Sequence, residues 1–215
     1  MSHALVEPAE LEGIAEALYQ EAGLDPCEPA LQVRLSRALL GADAVSIVPP
    51  GVLRTTRARL APVNGRWCIY VRRQAPAEMA FGLAHEVGHW ALLRAGYVGD
   101  DEERHADYIA GALIAPRRAF LAALLELGPN LPALAERFRT TESLIALRRG
   151  EVTALPTALV RPGLVRVRSQ LEFVWPSEAM IRRWAQGTPP KGLAKTRLTD
   201  DRRRVVLTGE ELETG

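Results

Sequence analysis

The five residues His85-Glu86-Val87-Gly88-His89 form an HExxH motif. Four histidines and 19 glutamates in 215 residues give a chance expectation of about 0.006 such matches. The surrounding segment has helical spacing from Pro76, which suits a first helical turn, to Arg94, with Gly96 as a C-terminal cap. Residues four apart on a helix stack on one face, so both imidazoles reach one metal ion and Glu86 reaches a water bound there. Two histidines and a third protein ligand leave one tetrahedral position open, the pattern of a catalytic zinc rather than a structural one. Zinc lowers the pKa of that water towards ~7 and polarises a carbonyl, while Glu86 takes the proton and delivers it to the leaving amine. Peptide-bond hydrolysis is the natural reaction. The bland alternative is two surface histidines on an amphipathic helix. Against it, the neighbours Phe81, Leu83, Ala84, Val87, Trp90 and Leu92 are apolar. They predict a largely buried helix, in which such groups would be costly without a partner.

The third ligand has to come from elsewhere, and the following segment offers Glu102, Glu103, His105 and Asp107. The acidic run Asp100-Asp101-Glu102-Glu103 suits a helix N-terminus, and Asp100 with Glu103 resembles a capping box. Glu103 and Asp107 share a face, so Glu103 can bind the metal while Asp107 orients one histidine through its other ring nitrogen. His105 lies about 200° round the helix from Glu103, so the two cannot both point at the metal. Capping by Glu103 alone would leave a weak site.

The motif, the run Glu103-Arg104-His105-Ala106-Asp107-Tyr108-Ile109-Ala110 and the run Leu113-Ile114-Ala115-Pro116 together resemble the ImmA/IrrE metallopeptidases. Their pattern is HExxH followed by E-x-E-A-N-x-F-A and L-L-x-P. The resemblance covers roughly residues 44–150. It implies His85, His89 and Glu103 as metal ligands and Glu86 as the base. It also implies site-specific cleavage of a helix-turn-helix repressor, derepressing phage, mobile-element or stress-response genes. His105 stands where the family has a second Glu, which leaves it as an alternative ligand or a transition-state donor. Asp107 stands where the family has Asn. The expected cofactor is zinc, with manganese as the alternative in the cell.

Outward from the motif, residues 7–22 and 28–40 have helical spacing and Ala44–Val48 reads as a short strand. Arg57–Val63 and Arg66–Arg73 flank Asn64-Gly65, a strong hairpin signal. The arm Trp67–Arg73, or else Ala44–Val48, is expected to be a sheet edge that pairs with extended substrate. The expected fold is α+β. A zincin-like peptidase core spans 1–120, with a small antiparallel sheet packed on the HExxH helix and further helices. A helix-turn-helix-like pair spans 121–152, and a small α/β module of unassigned role spans 153–215. Within that module Leu164–Arg168 is strand-like, Ser177–Ala185 helical and Arg197–Leu207 a hairpin.

Apolar residues make up 47% and charged residues 25%, which excludes disordered and collagen-like chains. No apolar run approaches the roughly 20 residues of a membrane span, and the N-terminus does not read as a signal peptide. Two distant cysteines, Cys27 and Cys68, argue for a reducing, cytoplasmic location. The net charge of +1 is a difference of unequal parts. Residues 1–116 carry 10 Arg against 15 acids (net −5), and residues 117–215 carry 15 Arg and 2 Lys against 11 acids (net +6). An acidic front and a basic back suggest two working parts. A helix–turn–helix over Leu131–Leu144 allows a DNA-binding reading. Against that, Arg139 occupies the turn where a Gly is common, and few base-reading side chains lie near the second helix start. A structural helix pair closing the peptidase core is preferred. The runs Arg182-Arg183 and Arg202-Arg203-Arg204 read as solvated faces of an Arg-rich chain.

Overall fold

The computed structural model describes residues 7–28, 32–97, 99–153, 155–168, 176–201 and 204–209. The chain divides into two compact units, 1–123 with 137–140, and 124–136 with 141–215.

In the first unit, α1 (Pro8–Ala22) and α2 (Gln32–Leu40) precede β1 (Val45–Val48), β2 (Ala58–Val63) and β3 (Arg66–Arg72). They are followed by α3 (Pro76–Arg94), α4 (Glu102–Ile114) and α5 (Arg117–Leu127), the last straddling the boundary at residue 123. Asn64 and Gly65 both have positive φ, 50° and 78°, as a two-residue hairpin requires, and the register closes on Val63 opposite Arg66. The sheet order is β1-β3-β2. β2 is antiparallel to β3, but β1 is parallel to it, with Val45 beside Ile69. The sheet is therefore mixed rather than antiparallel, and the arm Trp67–Arg73 is its centre rather than an edge. The hairpin signal is local and reports only the β2–β3 pair. Where β1 joins depends on contacts some 24 residues away along the chain, which no turn signal encodes. Among the described residues β1 and β2 are the outer strands of this sheet.

α3 begins at Pro76 and ends where Gly96 N and Tyr97 N return hydrogen bonds to Leu93 O and Leu92 O. One flank packs on β2 and β3 and another on α4. Ile69, Val71, Leu83, Val87, Ile109 and Leu113 are almost fully buried between these layers. α1 backs α4: the Tyr19 hydroxyl donates to Leu113 O, and Tyr108 donates to Glu12 at 3.0 Å. Burial pushes the Tyr19 phenol far above its ordinary pKa, so this donor keeps its proton.

In the second unit, α6 (Leu131–Arg137) and α7 (Glu142–Val152) precede β4 (Thr157–Arg161), β5 (Leu164–Arg168), α8 (Glu178–Gln186), β6 (Leu193–Arg197) and β7 (Val205–Gly209). The sheet is antiparallel throughout, in the order β5-β4-β7-β6. Ala158, Val160, Val205 and Leu207 meet Ile181 and Ala185 of α8, while α7 packs against β4, β5 and β7, its Gly150 against Thr157. Since 157 and 158 point to opposite faces of a strand, α7 and α8 cover opposite faces of this sheet. Thr141 caps α7 by accepting from Leu144 N. Arg148 is fully buried beside Glu151, which also holds Arg168 of β5 at 2.9 Å. Burial raises the Glu151 carboxyl pKa against the pull of both arginines. No single helix among the described residues is long and apolar enough to cross a membrane.

Candidate metal centre

The near faces of α3 and α4 carry the site. The two helices run antiparallel and lie closest at Gly88, where a Cβ would stand 3.0 Å from Ala106 O and 3.1 Å from Ala106 Cα. A side chain there would push the two helices apart by a few tenths of an ångström, and their closeness brings the acids of α4 onto the histidines of α3. Gly88→Ala is expected to cost about 1–3 kcal/mol of overpacking and to weaken metal binding by moving α4. A chemical denaturation curve with a metal titration checks both.

His85 Nε2 and His89 Nε2 lie 3.1 Å apart. Glu103 spans them, with Oε2 3.4 Å from His85 Nε2 and Oε1 3.4 Å from His89 Nε2. These are the three described residues whose ligand atoms come together in a metal-sized group. A tetrahedral zinc about 2.0–2.1 Å from each donor would space them roughly 3.3–3.4 Å apart. Both histidines are mostly buried, at 18% and 16% exposure, and Glu103 at 81% faces solvent, so the cluster is open on the Glu103 side.

The outer nitrogens each face a carboxylate. Asp107 Oδ1 lies 3.1 Å from His85 Nδ1, and Glu102 Oε1 lies 2.8 Å from His89 Nδ1. A carboxylate beside each Nδ1 favours a ring proton there, and with the protons so placed both Nε2 atoms would be acceptors. Two imidazole nitrogens and a carboxylate would then converge on one point, a set that a cation satisfies. The sequence places Asp107 beside a histidine but says nothing of Glu102 in that role. Its membership of an acidic run at a helix start explains it equally well as dipole compensation. That run does not cap the helix through a side chain: Asp101 is the N-cap and makes no such hydrogen bond. Glu102→Gln and Asp107→Asn are each expected to weaken metal affinity about 10–100-fold with the fold intact. Competition with a chelating dye measures it, and an unchanged affinity would refute the orienting role.

Burial works against the charged form of His85, but the Asp107 contact and the charges of Asp107, Glu86 and Glu103 outweigh it, so its pKa sits above 6.5. In the metal-free protein this stabilisation is complete below about pH 6.5 and is lost as pH rises through the higher folded-state value. Metal reverses the dependence, because ligation needs neutral imidazole. Melting curves of stripped protein are expected to show the increment from added zinc growing between about pH 5.5 and 8. An increment that shrinks would contradict the ligand set. His105 is outside the cluster. Its pKa is lowered, first by burial and further by Arg104, against a rise from Asp101.

Glu86 turns to the other flank of α3. Its Oε2 accepts a hydrogen bond from Leu60 N of β2 at 2.7 Å, a contact no sequence signal announces. Phe81 lies beside His85 with ring centroids 5.9 Å apart. In the second unit, Arg182 pairs with Glu178 and Arg204 with Asp201 and Ser143, which agrees with a bland reading of those two residues; Arg202 and Arg203 lie outside the described residues.

Residues 49–149 match the family model Peptidase_M78, described as the IrrE N-terminal-like domain. The match supports an ImmA/IrrE assignment for this stretch, as the motif residues suggested. No curated protein sequence matches it. Among solved structures, the chain is similar to a Mycobacterium tuberculosis transcriptional regulator, at 16% identity and TM-score 0.63, covering 94% of this chain and 88% of that one. That likeness is one of fold.

Proposed function

We propose that the chain is a zinc-dependent endopeptidase that cleaves a helix-turn-helix transcriptional repressor in the cytoplasm and so derepresses phage, mobile-element or stress-response genes. The observation that carries this reading is the convergence of His85 Nε2, His89 Nε2 and the Glu103 carboxylate, with a further carboxylate, Glu86, next in the chain to His85. His85, His89 and Glu103 would hold the ion. Bound zinc would supply an acidified water and an electrophile for the substrate carbonyl. Glu86 accepts the proton from the water and passes it to the leaving amine. Asp107 and Glu102 keep the two imidazoles in the ligating tautomer. His105 takes no part in this set. The outer strands β1 and β2 suit an extended peptide, which strand addition orients without reading its sequence. The free cysteines Cys27 and Cys68 agree with a reducing compartment.

The second reading is a DNA-binding or protein-interaction regulator with a vestigial or structural metal site. The name of the mycobacterial neighbour and the basic second half favour it. The burial of α7 opposes it, since Glu142 to Ile145 at the start of that helix, where a recognition helix meets bases, are buried. Incubation with helix-turn-helix repressors encoded near the gene, with zinc or manganese, separates the two. Defined fragments are expected. Specific DNA binding without cleavage of any of them would sink the peptidase.

A further inference from the structure

The register of β2 fixes which of its main-chain groups face outward. Arg72 N donates to Arg57 O at 2.8 Å, so Arg59, Ala61 and Val63 turn their groups to β3, while Ala58, Leu60 and Pro62 turn theirs away. Pro62 has no N–H to offer. Ala58 is buried, with Gly82 of α3 packed on it. Leu60 is thus the outward amide that remains, and it is the one held by Glu86. Helix and strand stay in step here: Gly82 and Glu86 are about 6 Å apart along α3, and Ala58 and Leu60 about 6.8 Å along β2.

We propose that Leu60 N–H is the pin that sets the register of an incoming peptide strand, and that in the free protein Glu86 occupies it. The inference rests on the peptidase reading above. One amide serves one acceptor well. A substrate carbonyl that takes the Leu60 N–H therefore displaces the Glu86 carboxylate and frees it for the water. The hand-over moves one hydrogen bond and breaks no covalent bond. It also places the pinned carbonyl beside the base, since the same N–H served Glu86 before. Leu60 is a positioning residue, and the base is released by the arrival of a strand.

The test is a double-mutant cycle on the metal-stripped full chain, which cannot turn over, with an acetylated alanine–leucine hexapeptide amide as probe. Glu86→Ala removes the competitor and is expected to tighten the peptide about 2- to 10-fold. Leu60→Pro removes the outward N–H at a position where a proline costs no ladder hydrogen bond, as Pro62 shows two residues on, and is expected to weaken it by a similar factor, with Leu60→Ala as the control for the lost side chain. In the Leu60→Pro background, Glu86→Ala should then change nothing. Amide exchange at Leu60 gives a second readout that survives any misfolding of the proline variant. It should be about 10-fold faster in Glu86→Ala and slow again when peptide is added. Unchanged affinity and unchanged exchange in Glu86→Ala would overturn the pin, as would a peptide that does not bind. Loss of the pin with cleavage by the metal-loaded protein intact leaves the peptidase standing. No cleavage with the cycle intact sinks the peptidase instead.

Discussion

Glu86→Gln is expected to lower cleavage of a repressor by about 10²–10⁴-fold while leaving metal affinity unchanged. Gln keeps the shape of the side chain and its carbonyl oxygen can still accept from Leu60 N, so the hold on β2 survives. What is lost is the ability to take a proton. The three acceptors of the metal cluster do not include Glu86, so the ion should bind as before. Single-turnover cleavage and a metal titration on the same preparation measure the two effects separately. Equal cleavage by native and variant protein would refute Glu86 as the base. A parallel fall in metal affinity would mean that it is a ligand.

Glu103→Ala should have the other large effect, in the opposite pattern. Removing a ligand should weaken the metal by more than the roughly 10–100-fold expected of an orienting residue, and activity should fall with it. The fold should hold, because Glu103 is exposed and its contacts are with the two histidines. The variant also separates ligation from a role at the helix start. A role at the helix start would show as lost stability in the metal-free protein, of about 0.3–1 kcal/mol, with metal affinity untouched. Recovery by excess zinc would support ligation, and the zinc concentration needed gives the affinity lost.

The sequence carries the local features well. The bounds of α3, the Asn64-Gly65 turn, the Thr141 cap and the helix over Glu178–Gln186 each follow from residues within one or two turns of each other. So does the meeting of His85 with His89, and of Glu103 with Asp107 on one face. What is not legible depends on partners far along the chain. The parallel addition of β1 to β3 requires Val45 to find Ile69. The strand over Thr157–Arg161 lacks alternation, being buried on both faces between α7 and α8, so its period is silent. The Leu60 donor is a backbone group, and main-chain polarity leaves no trace in residue identity. Glu102 was hidden by the opposite problem, a residue type with two good explanations.

The two compact units do not correspond to two uninterrupted lengths of polypeptide. The chain leaves the first unit within α5, returns to it for residues 137–140, and leaves again. A single nick therefore frees neither unit whole. A fragment ending at residue 123 keeps the HExxH helix and its acids but forfeits Phe138, whose ring lies 5.7 Å from that of the fully buried Phe120. Its complement begins with the last four residues of α5 and carries four more, 137–140, that belong to the other unit. Genetic dissection of the two units thus calls for rejoining chain ends, by permutation or a designed bridge across 124–136, rather than for simple truncation.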